Sequence, residues 1–280
     1  MPARSTVTAR QARLGAELRK LRERAGPSIR EASEITGVAQ SKISMMEAGR
    51  VGVSAERVRH LASQYACDDP ALVEALVAMA TERGPDWWEE YREAVPTGYL
   101  NVAELEHHAV ELRTFQGAHI PALLQTEEQM RGVFASSVPL LSEEQREVRV
   151  RFRLRRQEVL DKIGYAALIH EAALRIRAAD SKVARNQLLH LIEQSEQPQV
   201  AIQIVPFEAD GFAGISAPVV YANGPVSQLD TALVDTAHGG AYLGAEAQLH
   251  RYRVVLRTIE KMALGAVDSR DFIHRLVQQM

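Results

Sequence analysis

Residues 28–50 read SIREASEITGVAQSKISMMEAGR, and this stretch decides the fold of the chain's first third. Ser28 and Glu31 have the Ser-x-x-Glu spacing of a capping box: the serine hydroxyl accepts from a first-turn amide, and the glutamate reaches back to the serine amide. A short helix over 29–36 follows. Gly37 stands where the chain must turn sharply, because glycine takes a positive φ without a Cβ penalty. The next helix, over 40–48, is entered from Ala39 and stopped by Gly49, with Ile43 and Met46 spaced to face inward. Ala32, Ser33 and Gly37 are small where two helices must approach, while Ile29, Ile35, Val38, Ile43 and Met46 supply the expected apolar contacts. Gln40, Ser41, Ser44 and Met45 are left on the outer face, with Lys42 at its edge.

Working outward, Leu14, Leu18 and Leu21 recur at helical spacing, with Arg10, Arg13, Glu17, Lys20 and Arg24 on other faces. This predicts an amphipathic helix over 8–25, ended by Gly26-Pro27. Downstream, Ser54 caps a helix in which Val58 and Leu61 point inward, and Asp69-Pro70 opens another with Leu72, Leu76 and Met79 as its stripe. Residues 1–66 carry twelve Lys/Arg against six Asp/Glu, a charge of +6, and the remainder carries -9. A basic head joined to an acidic body suits phosphate binding.

On these residues the segment resembles the helix-turn-helix of the xenobiotic-response-element class, which includes phage repressors of the lambda type. The resemblance implies an all-α five-helix domain whose helix over 39–48 enters the major groove of double-stranded DNA. It implies base contacts from Gln40, Ser41 and Met45, and phosphate contacts from Ser28, Arg30 and Arg50. Ser44, on the same outer face, joins the base-contact set, and Lys42 joins the phosphate set. Glutamine donates to and accepts from adenine, and Met45 suits a thymine methyl. Two residues depart from the family pattern: Ala39 replaces the usual serine or threonine cap, and Met45 replaces a polar or basic residue. Glu47 is expected to pair with Arg50 or the following loop.

A chain of 280 residues suits two compact units. The expected division is a DNA-binding domain over 1–83, a helical linker over 84–104 and a larger mixed α/β domain over 105–280. Arg83-Gly-Pro-Asp86 breaks the fifth helix, and Trp87, Trp88 and Tyr91 follow on a new helix expected to pack the domains together. Strands are predicted over 109–116, 165–170, 199–206, 217–222 and 229–235. Helices are predicted over 126–134, 142–163, 181–196, 244–264 and 269–278. Several pieces occur in order: Trp87-Trp88-x-x-Tyr91, Ile120-Pro-Ala-Leu-Leu-Gln-Thr126, Arg156-Gln157-x-x-Leu160, Ile169-His-Glu171-Ala-Ala-Leu174, Gln187-Leu188 and Val205-Pro206-Phe207. Together they resemble the C-terminal domain of WhiJ-like actinobacterial regulators. Ala122 stands for a usual glycine, and Arg175-Ile-Arg-Ala-Ala179 stands for Arg-Arg-x-x-Gly. The resemblance implies regulators of development and secondary metabolism, often encoded beside small BldB-like partner proteins. The domain is then expected to bind such a partner or a small-molecule effector and to form a homodimer.

No run of about 18 apolar residues occurs, so no membrane span is expected. The first residues, MPARSTVTAR, lack a secretory apolar stretch, and a cytoplasmic protein is expected. Cys67 is the only cysteine, which removes an intrachain disulfide and a cysteine-rich zinc site. Phosphate-loop glycine patterns are missing; Gly211-Phe-Ala-Gly214 and His238-Gly239-Gly240 read as turns. His107 and His108 are adjacent and expected to diverge, so no metal, cofactor or catalytic site is expected. His170-Glu171, at a strand end, is the candidate ligand pocket, with capping as the alternative. The arginine run over 146–156 is expected to pair with Glu143, Glu144, Glu147, Glu158 and Asp161 on a solvated or interface helix. The expected function is a non-enzymatic, dimeric, sequence-specific transcriptional regulator controlled through its C-terminal domain. The alternative is an antitoxin-like or anti-regulator protein that holds a small partner.

Overall fold

Among the described residues of the first unit, four helices begin on a side chain that satisfies their first amides, and another begins without one. In a computed structural model, which describes residues 7–82, 86–211, 217–236 and 239–280, the chain forms two units, Met1–Trp87 and Trp88–Met280. The break expected at 83–85 and the turn residues 212–214 and 238 lie outside the described residues. Helix α1 (Ala9–Ala25) is capped by Thr8 and closed by Gly26 at φ +98°. Helix α2 (Ile29–Thr36) has the complete Ser28–Glu31 box and ends at Gly37, φ +66°, in the left-handed region. Helix α3 (Gln40–Glu47) starts from Ala39 with no side-chain cap. Ser54 caps α4 (Ala55–Gln64), and Asp69 caps α5 (Pro70–Thr81).

The core of this unit joins Leu14, Leu18 and Leu21 to Val38, Ile43, Met46, Val58, Leu61 and Leu76, all buried. Helix α1 packs on α3, α4 and α5. Its approach to α3 is close enough to demand glycine: a Cβ on Gly15 would lie 2.5 Å from the Glu47 carbonyl oxygen and 2.8 Å from the Gly49 nitrogen. Two expectations are corrected here. Ile35 is 50% exposed, because the buried face of α2 is centred on Ala32 and Thr36, and Ile35 lies about 100° round the helix from Thr36. Glu17 is buried rather than outward, held between Arg13 (3.2 Å) and Lys20 (2.6 Å).

In the second unit the order of elements is helix first, then sheet and helices alternating. A 3-10 turn over Trp87–Tyr91 takes the place of the expected helix, and α6 (Thr97–His107) follows. The rings of His107 and His108 do not splay apart; both turn to buried Trp88, at 5.0 and 6.4 Å. The strands are β1 (Glu111–Gln116), β2 (Gly164–His170), β3 (Val200–Val205), β4 (Val219–Asn223), β5 (Thr231–Thr236) and β6 (Gly239–Leu243). They form one sheet in the order β3-β2-β1-β4-β5-β6. β1, β2 and β3 are parallel; β4, β5 and β6 form an antiparallel meander, joined to them by antiparallel pairing of β1 with β4. Strand β6 corrects the reading of Gly239-Gly240 as a turn: Gly239 pairs with Thr236 and Gly240 with Asp235.

Helices α7 (Glu127–Ala135) and α8 (Glu143–Gln157) cross from β1 to β2, and α9 (Glu171–Arg175) and α10 (Ser181–Gln194) from β2 to β3. Helices α11 (Glu246–Met262) and α12 (Ala266–Gln278) follow β6. Both sheet faces are covered, as parallel strands require. On one face Leu112, Tyr165, Ile169, Ile202 and Ile204 meet Leu188 and Leu191 of α10 and Ile273 and Leu276 of α12. On the other, Phe115, Leu168, Val205 and Tyr221 meet Leu249, Leu256 and Ile259 of α11. Burial of residues on both faces explains why β2 and β3 read as nearly continuous apolar runs.

Candidate nucleic-acid interface

The outer face of α3 is set by its connection to α2. Thr36 Oγ1 donates to the Ala32 carbonyl at 2.6 Å and accepts from the Val38 amide at 3.3 Å. His60 Nε2 lies 2.9 Å from the Thr36 carbonyl, so α4 holds the end of α2 as well. Gly37 turns the chain, and a Cβ there would meet nothing, so its conformation rather than space requires glycine.

Behind α3, the Arg22 guanidinium donates to both carboxylate oxygens of Glu47, at 2.6 and 2.9 Å, and also to the Pro27 carbonyl at 3.0 Å. Donation to Glu47 holds the Arg22 pKa above its usual value despite burial. Glu47 therefore anchors α3 to α1, which corrects the expected pairing with Arg50 or the loop. The missed signal was the spacing of Arg22, one turn after Leu18 on the apolar side of α1.

With the inner side of α3 occupied, Gln40, Ser41, Lys42 and Ser44 are exposed and Met45 is half-buried. Arg50 is exposed beyond the end of α3, and neither it nor Lys42 has an acidic partner among the described residues. Arg30 is exposed and only 3.4 Å from Glu34, while the Ser28 hydroxyl is engaged with the Glu31 amide. Six of these eight residues thus lie on α3 or just beyond its end, and Ser28 and Arg30 lie at the start of α2. Hydrogen-bonding side chains ride on a helix fixed from behind, with free cations at its margin. Such a face can address base edges and phosphates together.

In the second unit the separated sequence pieces come together in two knots. Three glutamines grip residues 120–126. Gln187 Nε2 donates to the Leu124 carbonyl while its Oε1 accepts from the Thr126 amide, at 2.7 and 2.8 Å. Gln157 Nε2 donates to the Gln125 carbonyl (2.7 Å), and Gln125 Nε2 to the Ile120 carbonyl (2.7 Å). Ala179 lies beside Gly132, where an added Cβ would come within 3.0 Å of the Ala179 methyl.

The second knot contains His170 and Glu171. His170 Nδ1 accepts from the Ala172 amide at 3.2 Å and so caps α9, while its ring stands 5.2 Å from that of Phe207. Buried Glu171 accepts from Arg175 at 2.6 Å and from the Phe207 amide at 3.0 Å. Capping by Nδ1 needs the neutral ring, and burial lowers the His170 pKa below 6.5. The unfolded chain then binds the proton more readily, so stability present above about pH 6.5 is lost as the pH falls toward the lowered folded value. His170→Asn keeps a capping oxygen and is expected to flatten part of this dependence in urea melts at about pH 7.5 and about pH 5.5. His190, also lowered by burial, supplies a further part. An unchanged pH slope in His170→Asn would remove the cap from the account.

The arginine run divides between two environments. Arg146 pairs with Glu143, Arg155 with Glu158 at 3.3 Å, and Glu147 with Arg131 of α7, as an ion-paired surface would. Arg156 instead turns inward and donates twice to buried Glu106, at 2.8 and 2.6 Å, an acid outside the set expected to pair with the arginines of this solvated or interface helix.

Two helices joined by a tight glycine turn, the second with an exposed polar face, define a helix-turn-helix domain, and residues 13–76 match the helix-turn-helix domain family model. Residues 99–275 match the family described as a domain of unknown function, DUF5753, and the chain belongs to that family. No curated protein and no solved structure matches the chain. Among the described residues, no helix is long and apolar enough to cross a membrane.

Proposed function

We propose that the chain is a sequence-specific transcriptional regulator of the xenobiotic-response-element class, with a WhiJ-like second unit that takes a regulatory signal. The observation that carries this reading is the exposed polar face of α3, held from behind by the Arg22–Glu47 pair and flanked by the free cations Lys42 and Arg50. Gln40, Ser41, Ser44 and Met45 read bases in the major groove; Ser28, Arg30, Lys42 and Arg50 hold phosphates. A single such helix spans a half-site, so the protein acts as a homodimer on a two-fold operator. Its work is binding rather than catalysis, and a small BldB-like protein or a small-molecule effector is the signal.

Fluorescence anisotropy with a duplex selected from a random pool tests the reading. Gln40→Ala is expected to lower affinity for the selected duplex by about 1–3 kcal/mol and to relax preference at one base pair. Arg50→Ala is expected to weaken all duplexes evenly and to lower the slope of log affinity against log salt by about 1. Duplex binding that is absent at low salt, or insensitive to every one of these side chains, would sink the proposal.

A further inference from the structure

Helix α8 carries Arg149, Arg153 and Arg156 at i, i+4 and i+7, which sets them along one face. Among the described residues, one carboxylate, that of Glu106, is hydrogen-bonded to this group, and Arg156 holds it with two bonds. Arg149 and Arg153 have no acidic partner among the described residues. The Arg149 guanidinium lies 5.4 Å from the centre of the Tyr99 ring, and that of Arg153 lies 4.4 Å from the centre of the Phe134 ring. Arg153 Nη1 donates to Gln125 at 2.7 Å, but its Nε is buried with no hydrogen-bond partner.

A buried guanidinium edge without an acceptor is costly, and ring contact offsets only part of that cost. Burial, with repulsion from Arg156, pushes the Arg153 pKa down to about 10. Arg149, Arg153 and Tyr99 are each half-buried, so solvent reaches one side of the group. Phe134 and Tyr99 belong to one apolar cluster with Met130 and Val150, which gives the arginines an apolar wall. The planar fork of a guanidinium matches the oxygen spacing of carboxylates and phosphates, and i, i+4 spacing sets two such forks on one side of α8.

We propose that Arg149 and Arg153 form an anion site in the second unit, which takes a small carboxylate or phosphate against the ring wall of Tyr99 and Phe134. The anion accepts from the two guanidiniums and neutralises the excess charge. Through Arg153 it is joined to Gln125, and so to the glutamine-held segment 120–126. The proposal rests on the regulatory reading above, whose effector it assigns a chemistry, and its test involves no DNA, so either can fail alone.

The test is thermal unfolding and titration calorimetry of the full chain with inorganic phosphate and with benzoate, against chloride at matched ionic strength. Saturable stabilisation beyond chloride is expected for at least one probe, with affinity lowered about tenfold or more in Arg149→Gln, the loss of one charge-assisted contact. Arg153→Gln should behave alike; where it fails to fold, Arg149→Gln, which breaks no ion pair, carries the test. Tighter binding of phosphate assigns a phosphorylated ligand, and tighter binding of benzoate assigns an aromatic carboxylate. Equal stabilisation of wild type and Arg149→Gln, or none beyond chloride, overturns the proposal.

Discussion

Gly15→Ala is expected to destabilise the first unit by about 1–3 kcal/mol, the range for overpacking a closed contact. The sign is informative, because in an open helix the same change stabilises by about 1 kcal/mol. Here the added Cβ meets backbone: the Glu47 and Met46 carbonyl oxygens at 2.5 and 2.8 Å and the Gly49 nitrogen at 2.8 Å. No side-chain rotation relieves such a clash, so α1 and α3 must move apart. The Arg22–Glu47 hydrogen bonds join the same pair of helices and would lengthen with them. Calorimetry of the full chain should show a lower first-unit transition, accompanied by weaker duplex binding. A Gly15→Ala protein more stable than wild type would mean that α1 and α3 do not meet as described.

Glu106→Ala should lower the stability of the second unit by about 3–5 kcal/mol, the cost of leaving a buried charge without its partner. Glu106 is 3% exposed and Arg156 8%, and two hydrogen bonds join them across α6 and α8. The pair itself need not stabilise the fold. Replacing both partners, Glu106→Leu with Arg156→Met, is expected to recover most of the loss, because no unpaired charge remains. Urea denaturation of the wild type and the two variants separates the terms. A single variant no less stable than the double one would show that the pair is solvated.

What could be read from the sequence depended on how far apart the cooperating residues stand. Caps are local: Ser28 and Glu31 are separated by three residues, and their box forms. Gly37 is local too, and its positive φ follows from its place between two helical periods. The exposed faces of α2 and α3 follow from periodicity, except at Ile35, where an apolar residue faces solvent.

Long-range pairings left at most one partner marked, as Arg22 was by its place on the apolar side of α1, and never the pair. Glu47 finds Arg22 across 25 positions and Arg156 finds Glu106 across 50, and many carboxylates of the sequence were equally plausible partners. Motif order located residues 120–126, Gln157 and Gln187 without revealing that they join in one knot. Strand β6 was hidden because two glycines look like a turn until β5 supplies the facing strand. The candidate DNA-reading face was therefore legible in outline, while the anion site depended on which arginines of α8 the fold leaves without an acid.

Strand β1 also has a history that its final position conceals. It pairs on one side with β4, and Thr114 Oγ1 donates to the Val219 carbonyl 105 residues further on. At ribosomal rates that length takes about 5–20 s to synthesise. The nascent chain must therefore carry one open edge of β1 for seconds, with only β2 and β3 able to arrive meanwhile. The first unit, built from neighbouring helices, needs no such wait. A ribosome-bound chain should thus pass through a stage at which its helix-turn-helix domain is folded and its sheet is still unfinished.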